Sequence, residues 1–502
     1  MKSFQDPQTE VIIIGGGLAG MAAGLRLAER GYAVSIVEMS ERLGGKAGAA
    51  KHGDDFDEHG YHIFPAWYAN ANHLAEELRI THNFTDCEDF FQLSEGQFPH
   101  FKNFKNITSW RYLWKNLTAG VLPFFEAFLF YYAALDLMSQ PYSYRAQLDQ
   151  VTVTGFLRSR FYRTDRVATQ FQELMLKGIS VPTYEVSAMT MRNVMRFWVR
   201  SPVPMHRILK GNLQSFWIDP FANRLSELGC KFEHNQKLKR LEVGNGRLVR
   251  LHFADRDGNA IVREVGDARV VLAVPVEKAM PLINDDLHAL DPDLSMLRYL
   301  HARTMAALNI YFKRSIPYMP RGHVNLLDSK FGLSFIDVAQ TWSGYDTTVL
   351  NLIASDFTLL EGLSLQGATE QLMLDFRRYF PEISADDILK LDFQSHINEP
   401  LFMNNVGGWA FRPEAATKVP NLYLAGDYCR SHIDLVSMEG AITTGFLAAK
   451  AICERDAHPN PVPILVPPTY PDWLTRVGKI ALLPLVGFAY LAARLQGHPA
   501  KY

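Results

Sequence analysis

The chain has 502 residues, 48% of them hydrophobic, and a formal net charge of −2. That length supports a large core in a pair of intertwined domains, and the composition excludes a disordered chain. The near-neutral balance offers no electrostatic case for nucleic acid as a partner. The cysteines, Cys87, Cys230, Cys429 and Cys453, are far apart and form no C-x-x-C, so neither zinc nor a disulfide framework is expected. Met1–Gln8 is polar and has no secretory pattern, which points to a reducing, cytoplasmic setting.

Val11–Ile14 is short, apolar and β-branched, and reads as a buried parallel strand. Gly15, Gly17 and Gly20 follow as G-x-G-x-x-G, with Leu18 and Ala19 inside the motif. Met21–Arg30 then reads as a helix ended by Gly31, and Val34–Val37 as a second strand ending in Glu38. Such glycines let the backbone turn tightly and approach a pyrophosphate at a helix N-terminus. Glu38 stands where an acid accepts bonds from ribose hydroxyls.

Arg42-Leu43-Gly44-Gly45-Lys46 brings a second glycine turn directly after that acid. With it the chain resembles the FAD-dependent amine oxidase and phytoene desaturase superfamily, in which Arg-x-Gly-Gly follows the ribose glutamate. The resemblance implies an α/β fold: a Rossmann-like FAD-binding domain interleaved with an α+β substrate domain and a mostly helical apolar insert. It implies that Glu38 holds the ribose, and that Arg42, Gly44, Gly45 and Lys46 line the diphosphate and ribityl path.

Asp54–Pro65 reads as a short strand and turn. His59 and His62 have no second cluster near them, so no metal is expected. Gly60-Tyr61-His62-Ile63-Phe64, followed by Trp67–Asn70 and a helix to about Ile80, resembles the plant-type phytoene and ζ-carotene desaturases. There the corresponding backbone lies against the flavin; His62 reads equally well as a structural histidine.

Phe98–Leu137 is rich in aromatic residues, and Ala127–Leu135 is apolar on every helical face. Such a helix is a core element or an entrance that dips into lipid. Tyr184–Val199 reads as a further helix. Its Asn193–Phe197 resembles a desaturase segment whose arginine sits beside the isoalloxazine, which nominates Arg196 as catalytic. Strands around Lys237–Val243 with turns at Gly244–Gly246 and Asp255–Gly258 form an antiparallel meander. On the family match, the backbone of Leu238 contacts the adenine.

Asn421–Lys450 carries a strand, the turn Gly426-Asp427, and a helix opened by Met438-Glu439-Gly440-Ala441. This matches the superfamily's C-terminal FAD motif. Asp427 is then expected at the ribityl and phosphate region, with Met438 and Glu439 under the flavin. The expected cofactor-binding domain comprises residues 1–85, 205–300 and 415–455, and the substrate domain 86–204 and 301–414. Residues 456–502 form a proline-rich linker and a membrane-associating tail. Within it, fourteen uncharged residues between Lys479 and Arg494, carrying Pro484 and Gly487, look short for a span and suit an interfacial anchor, with a packed core helix or a true span as the alternatives.

Ser437 replaces the aromatic that many amine oxidases of the superfamily carry before the Met-Glu-Gly turn, and Ala307 replaces their lysine. The expected function is therefore an FAD-dependent desaturase taking hydride from a long apolar, carotenoid-like lipid at a membrane surface, with quinone as a candidate acceptor. An amine oxidase, a carotene-type isomerase or dehydroxylase, and a lipid-binding flavoprotein with structural FAD are the alternatives.

Overall fold

Val11–Ile14 is at most 2% exposed and forms the middle of a parallel sheet covered on both faces, as uninterrupted apolar strands require. The computed structural model describes residues 9–52, 55–57, 60–105, 110–201, 204–395 and 400–496. The N-terminal segment Met1–Gln8 and His59 lie outside these residues. Among the described residues this sheet has five strands: β1 (Glu10–Ile14), β2 (Ala33–Val37), β3 (Lys231–Glu233), β4 (Arg269–Leu272) and β5 (Leu422–Leu424). They are ordered β3–β2–β1–β4–β5, so the sheet gathers the two ends and the middle of the chain. The predicted meander is a three-stranded antiparallel sheet, Lys237–Gly244, Arg247–Ala254 and Ala260–Glu264.

A second sheet of seven strands runs Ile388–Ser395, Ala306–Phe312, Val349–Ala354, Leu333–Asp337, Val324–Leu326, Asp89–Leu93 and Lys102–Lys105. Strand alternation divides its two faces. Leu308, Ile310, Leu352 and Phe335 pack with Phe376 of the helix Leu365–Arg377. The opposite face carries the neighbouring positions, among them His323, Asn325, Ser334 and Asn351, and turns towards the cofactor side of the molecule.

α1 (Leu18–Ala28) leaves β1 through the glycine turn. Three helices form the insert: α2 (Phe124–Met138), α3 (Asp165–Ile179) and α4 (Ala188–Val199). Leu129 and Ala133 of α2, Phe171 of α3 and Met191 of α4 share one apolar cluster, so α2 has a true core face. α5 (Met438–Arg455) crosses α1 closely. A Cβ on Gly445 would lie 2.2 Å from the Ala19 carbonyl oxygen, so only glycine fits the crossing.

α6 (Asp472–Leu495) departs from the sequence reading. The apolar stretch looked short because Pro484 and the flanking charges interrupt it, yet the helix continues for 24 residues with Pro484 inside. Proline removes one backbone bond. Packing against α2 offsets that loss, because Val486, Ala489 and Ala493 join the same cluster as Leu129 and Ala133. Among the described residues it is the one helix long and apolar enough to cross a membrane.

Candidate functional site

A cavity of about 1130 Å³ runs from the first glycine turn, past the N-terminus of α5, into the helical insert. Its cofactor end is built by close backbone approach. A Cβ on Gly20 would stand 2.0 Å from the Gly15 carbonyl oxygen, so the turn and α1 meet only because no side chain intervenes. Gly17 caps α1 without a side-chain hydrogen bond, which leaves the first N–H groups to the cavity. The second turn lies directly on the first: Gly44 N–H donates to Gly16 O at 2.8 Å, and Gly17 bridges to Gly44.

Glu38 joins the two turns. Its Oε2 accepts from Gly16 N–H at 2.7 Å, and its Oε1 accepts from Ser40 N–H and Oγ at 2.9 and 2.8 Å. A carboxylate offers about four acceptor positions, so one remains for a hydroxyl in the cavity. Lys46 ion-pairs with Glu277 at 2.8 Å and also bonds Pro400 O. Asp427 lies in the same wall. Burial pushes its carboxyl above the ordinary value, opposed by the charges of Lys46 and Arg412. Ser437 Oγ caps α5 by accepting from Gly440 N–H at 3.0 Å, and Ser437, Met438 and Ala441 face the cavity. The positive end of the α5 dipole therefore points into the site.

Most of the residues nominated from sequence meet in this wall. Gly15, Gly17, Leu18 and Ala19 come from the first turn, and Gly44, Gly45 and Lys46 from the second. Tyr61, His62 and Ile63 arrive on the next segment, with Leu238 from the meander and Gly426, Asp427 and Met438 from the C-terminal motif. Gly20 supports the wall from behind, while Gly60 directly precedes Tyr61 and Arg42 lies two residues before Gly44; neither Gly60 nor Arg42 itself lines the cavity.

Two assignments need correction. Arg196 does not face the cavity. Its guanidinium donates to Met138 O at 3.1 Å and Tyr470 O at 2.6 Å, and pairs with Asp472 at 2.9 Å. On α4 the cavity side is Val194, Met195 and Trp198; Arg196 points away and ties down the tail. Glu439 does not face the cavity either. It is fully buried, with Oε1 accepting from Asn70 N–H and Nδ2 and Oε2 from Ala71 N–H. Burial raises its carboxyl to about 7 against those favourable bonds. Its role is to fix the helix Ala69–Glu77 to α5.

Beyond the cofactor end, Leu122, Phe130, Leu174, Met175, Ile179 and Trp198 form an apolar tunnel. Lys177, His323 and Asn325 also line it, and sequence reasoning missed all three. They sit in no local motif; their only sequence signal is polarity within otherwise apolar strands and helix faces. The Lys177 ammonium bonds Glu173 and Leu326 O, and burial lowers its pKa.

A parallel sheet with a glycine turn at the first helix, an acid after the second strand and a helix dipole at the far wall defines a dinucleotide-binding flavoprotein. The opposed glycine turns and the open acceptor position on Glu38 fit FAD. The chain belongs to the flavin containing amine oxidoreductase family, which matches residues 18–453. It is an FAD-dependent oxidoreductase. It is 27% identical to a 15-cis-phytoene desaturase of Narcissus pseudonarcissus, over 89% of this chain and 79% of that one. It is 25% identical to a zeta-carotene desaturase of Synechocystis, over 89% and 98%. Cyclohexylamine oxidase from Brevibacterium oxydans shares the fold, with a TM-score of 0.63 at 17% identity, over 90% of this chain and 100% of that one.

Proposed function

We propose that this protein desaturates a long isoprenoid, carotenoid-like lipid, removing hydrogen from adjacent carbons. The observation that carries the reading is the apolar tunnel continuous with the cofactor end of the cavity. Bound FAD supplies the two-electron acceptor for such chemistry. The chain's own residues hold the cofactor at the glycine turns, Glu38, Lys46 and Asp427, and exclude water from the tunnel with Trp67, Phe130 and Trp198. An amine would call for an aromatic cage or a polar pocket; here Ser437 caps α5 and Ala307 is fully buried. The desaturase relatives support the substrate class. In this reading residues 1–85, 205–300 and 415–455 form the cofactor unit, 86–204 and 301–414 the substrate unit, and 456–502 the linker and tail. Under anaerobic conditions a polyene hydrocarbon or its oxygenated derivative in liposomes should bleach the flavin, and a product two hydrogens lighter should appear with a quinone as acceptor. Rapid reduction by amines with polyenes inert would reject the reading; a product of unchanged mass would indicate an isomerase.

The reading includes peripheral attachment to the cytoplasmic membrane surface. Ile480, Phe488, Leu491 and Leu495 lie along one side of α6, each more than 60% exposed. Phe488 meets Phe125 of α2 with ring centroids 5.8 Å apart, and exposed Phe124 and Trp114 continue the patch beside Val121 and Leu122 at the tunnel. Such a surface suits insertion into the acyl boundary, where the substrate resides. The triple substitution Ile480→Glu, Phe488→Glu, Leu491→Glu touches no core position of α6. It should move the protein from the vesicle pellet to the supernatant with FAD retained. Unchanged sedimentation would refute attachment through this face.

A further inference from the structure

The tunnel is mainly apolar on its helical side, where Gln170 and Lys177 are polar exceptions, and more polar on its sheet side. On its sheet side, Val324–Leu326 pairs in parallel with Asp89–Leu93, and Asn325 stands opposite Gln92. Alternation places His323, Asn325 and Gln92 on the face away from the Phe335–Phe376 core. His323 and Asn325 line the cavity, and each is less than a tenth exposed. His323 Nδ1, Asn325 Oδ1 and both polar atoms of Gln92 are buried without a hydrogen-bond partner. Lys177, Gln170 and Ser355 lie in the same cavity wall.

A buried polar group left unpaired costs about 1–3 kcal/mol, and native interiors keep such groups few. His323 and Asn325, neighbouring side chains with missing partners in the wall of a ligand cavity, therefore point to a ligand that supplies them. A pure hydrocarbon supplies neither donor nor acceptor. A carboxylate or ammonium fits poorly, because the Lys177 charge is already paired with Glu173 and no free countercharge is seen among these residues. The histidine is neutral at ordinary pH, since burial lowers its pKa to about 3, so the group offers neutral donors and acceptors. An amide exchanges acceptor for donor by flipping and a neutral imidazole does so by changing tautomer, so the stripe can meet either polarity of partner.

We propose that the lipid taken by this tunnel carries a neutral oxygen, a hydroxyl or carbonyl, and that His323 and Asn325 are specificity-determining residues that receive it. The inference rests on the desaturation reading and narrows its substrate class to oxygenated isoprenoids. An isoprenoid quinone presents the same chemistry through its carbonyls, so reduction and reoxidation of the flavin must be measured separately.

The experiment compares a C30 or C40 polyene hydrocarbon with the same polyene bearing one terminal hydroxyl, as reductants of the holoenzyme in anaerobic stopped flow. Menaquinone-4 serves as the reoxidant in a second mixing step. The alcohol should reach half-saturation at a concentration about tenfold or more below that of the hydrocarbon, because a site built to bond an oxygen disfavours the analogue lacking it. Asn325→Leu and His323→Phe keep approximate shape and remove the bonds. Each should shrink the preference to within roughly threefold while FAD content stays at the wild-type ratio. Equal half-saturation in the wild type, or a preference unchanged in both variants, overturns the inference and leaves desaturation standing. Variants that alter only reoxidation by menaquinone-4 also overturn it, by assigning the stripe to the acceptor. If neither lipid reduces the flavin, the desaturation reading itself fails and this inference with it.

Discussion

Gly20→Ala is expected to give protein without flavin. The added methyl would sit 2.0 Å from the Gly15 carbonyl oxygen, a backbone atom that no side-chain rotation can move aside. The turn cannot retreat, since Gly15 N–H is bonded to Val37 O at 2.8 Å and its own Cβ position is filled by the Ala273 carbonyl. α1 must therefore move away from the turn, and the N–H groups that would face the pyrophosphate move with it. Overpacking of this kind costs about 1–3 kcal/mol in stability, but the larger effect is on the cofactor, which needs both glycine turns in register. The ratio of flavin absorbance to protein absorbance should fall nearly to zero. Gly487→Ala, with open space around it in α6, is the control and should keep the wild-type ratio. A Gly20→Ala protein with full FAD would show that the turn and helix are not the cradle.

Arg412→Met should cause the larger loss of stability. The Arg412 guanidinium is buried, pairs with Asp434, and donates to the carbonyls of Tyr428, Asp427 and Cys429 at 3.0, 2.9 and 2.8 Å. One side chain thus ties down the loop that brings Asp427 to the cavity. Removing it leaves a buried carboxylate unpaired, at a cost of about 3–5 kcal/mol. Burial already holds Asp434 up at about 6 with the arginine present, and without it the pKa rises further. A carboxyl whose folded-state pKa is raised confers its stability below the unfolded value and loses it as pH rises through the folded value. The variant should therefore melt closer to wild type near about pH 5 than near about pH 8, and Asp434→Asn added to it should recover part of the difference at the higher pH. Equal deficits at both pH values would mean that the loss lies in the carbonyl bonds alone.

The cofactor half of the site was legible because its requirements are local. Gly15, Gly20, Gly44 and Gly45 are dictated by backbone approach, and Glu38 by its place at the end of a strand, all within one short stretch. The tunnel was not legible in the same way. Arg196 shows why: a matched segment carries residue identity but not the rotation of its helix, and one residue's turn of about 100° separates Met195 in the wall from Arg196 behind it. Glu439 shares the motif with Met438, yet the first turn of α5 sends one to the cavity and the other into the core against Asn70. His323 and Asn325 acquire meaning only through pairing with Asp89–Leu93, more than 200 residues earlier. α6 was read as short because charge and proline were counted along the chain, whereas its continuity depends on α2.

The order β3–β2–β1–β4–β5 has a consequence for synthesis. β1 leaves the ribosome early, but β5 follows roughly 400 residues later. At about 5–20 residues per second the nascent first strand waits roughly 20–80 s for the sheet to be completed. β4 is made about 150 residues before β5, so for roughly the last 8–30 s its edge stands open with the apolar helices of the insert already made. A stalled or shortened translation product is therefore no smaller enzyme but a chain with an unclosed sheet, one that depends on holding chaperones or is degraded.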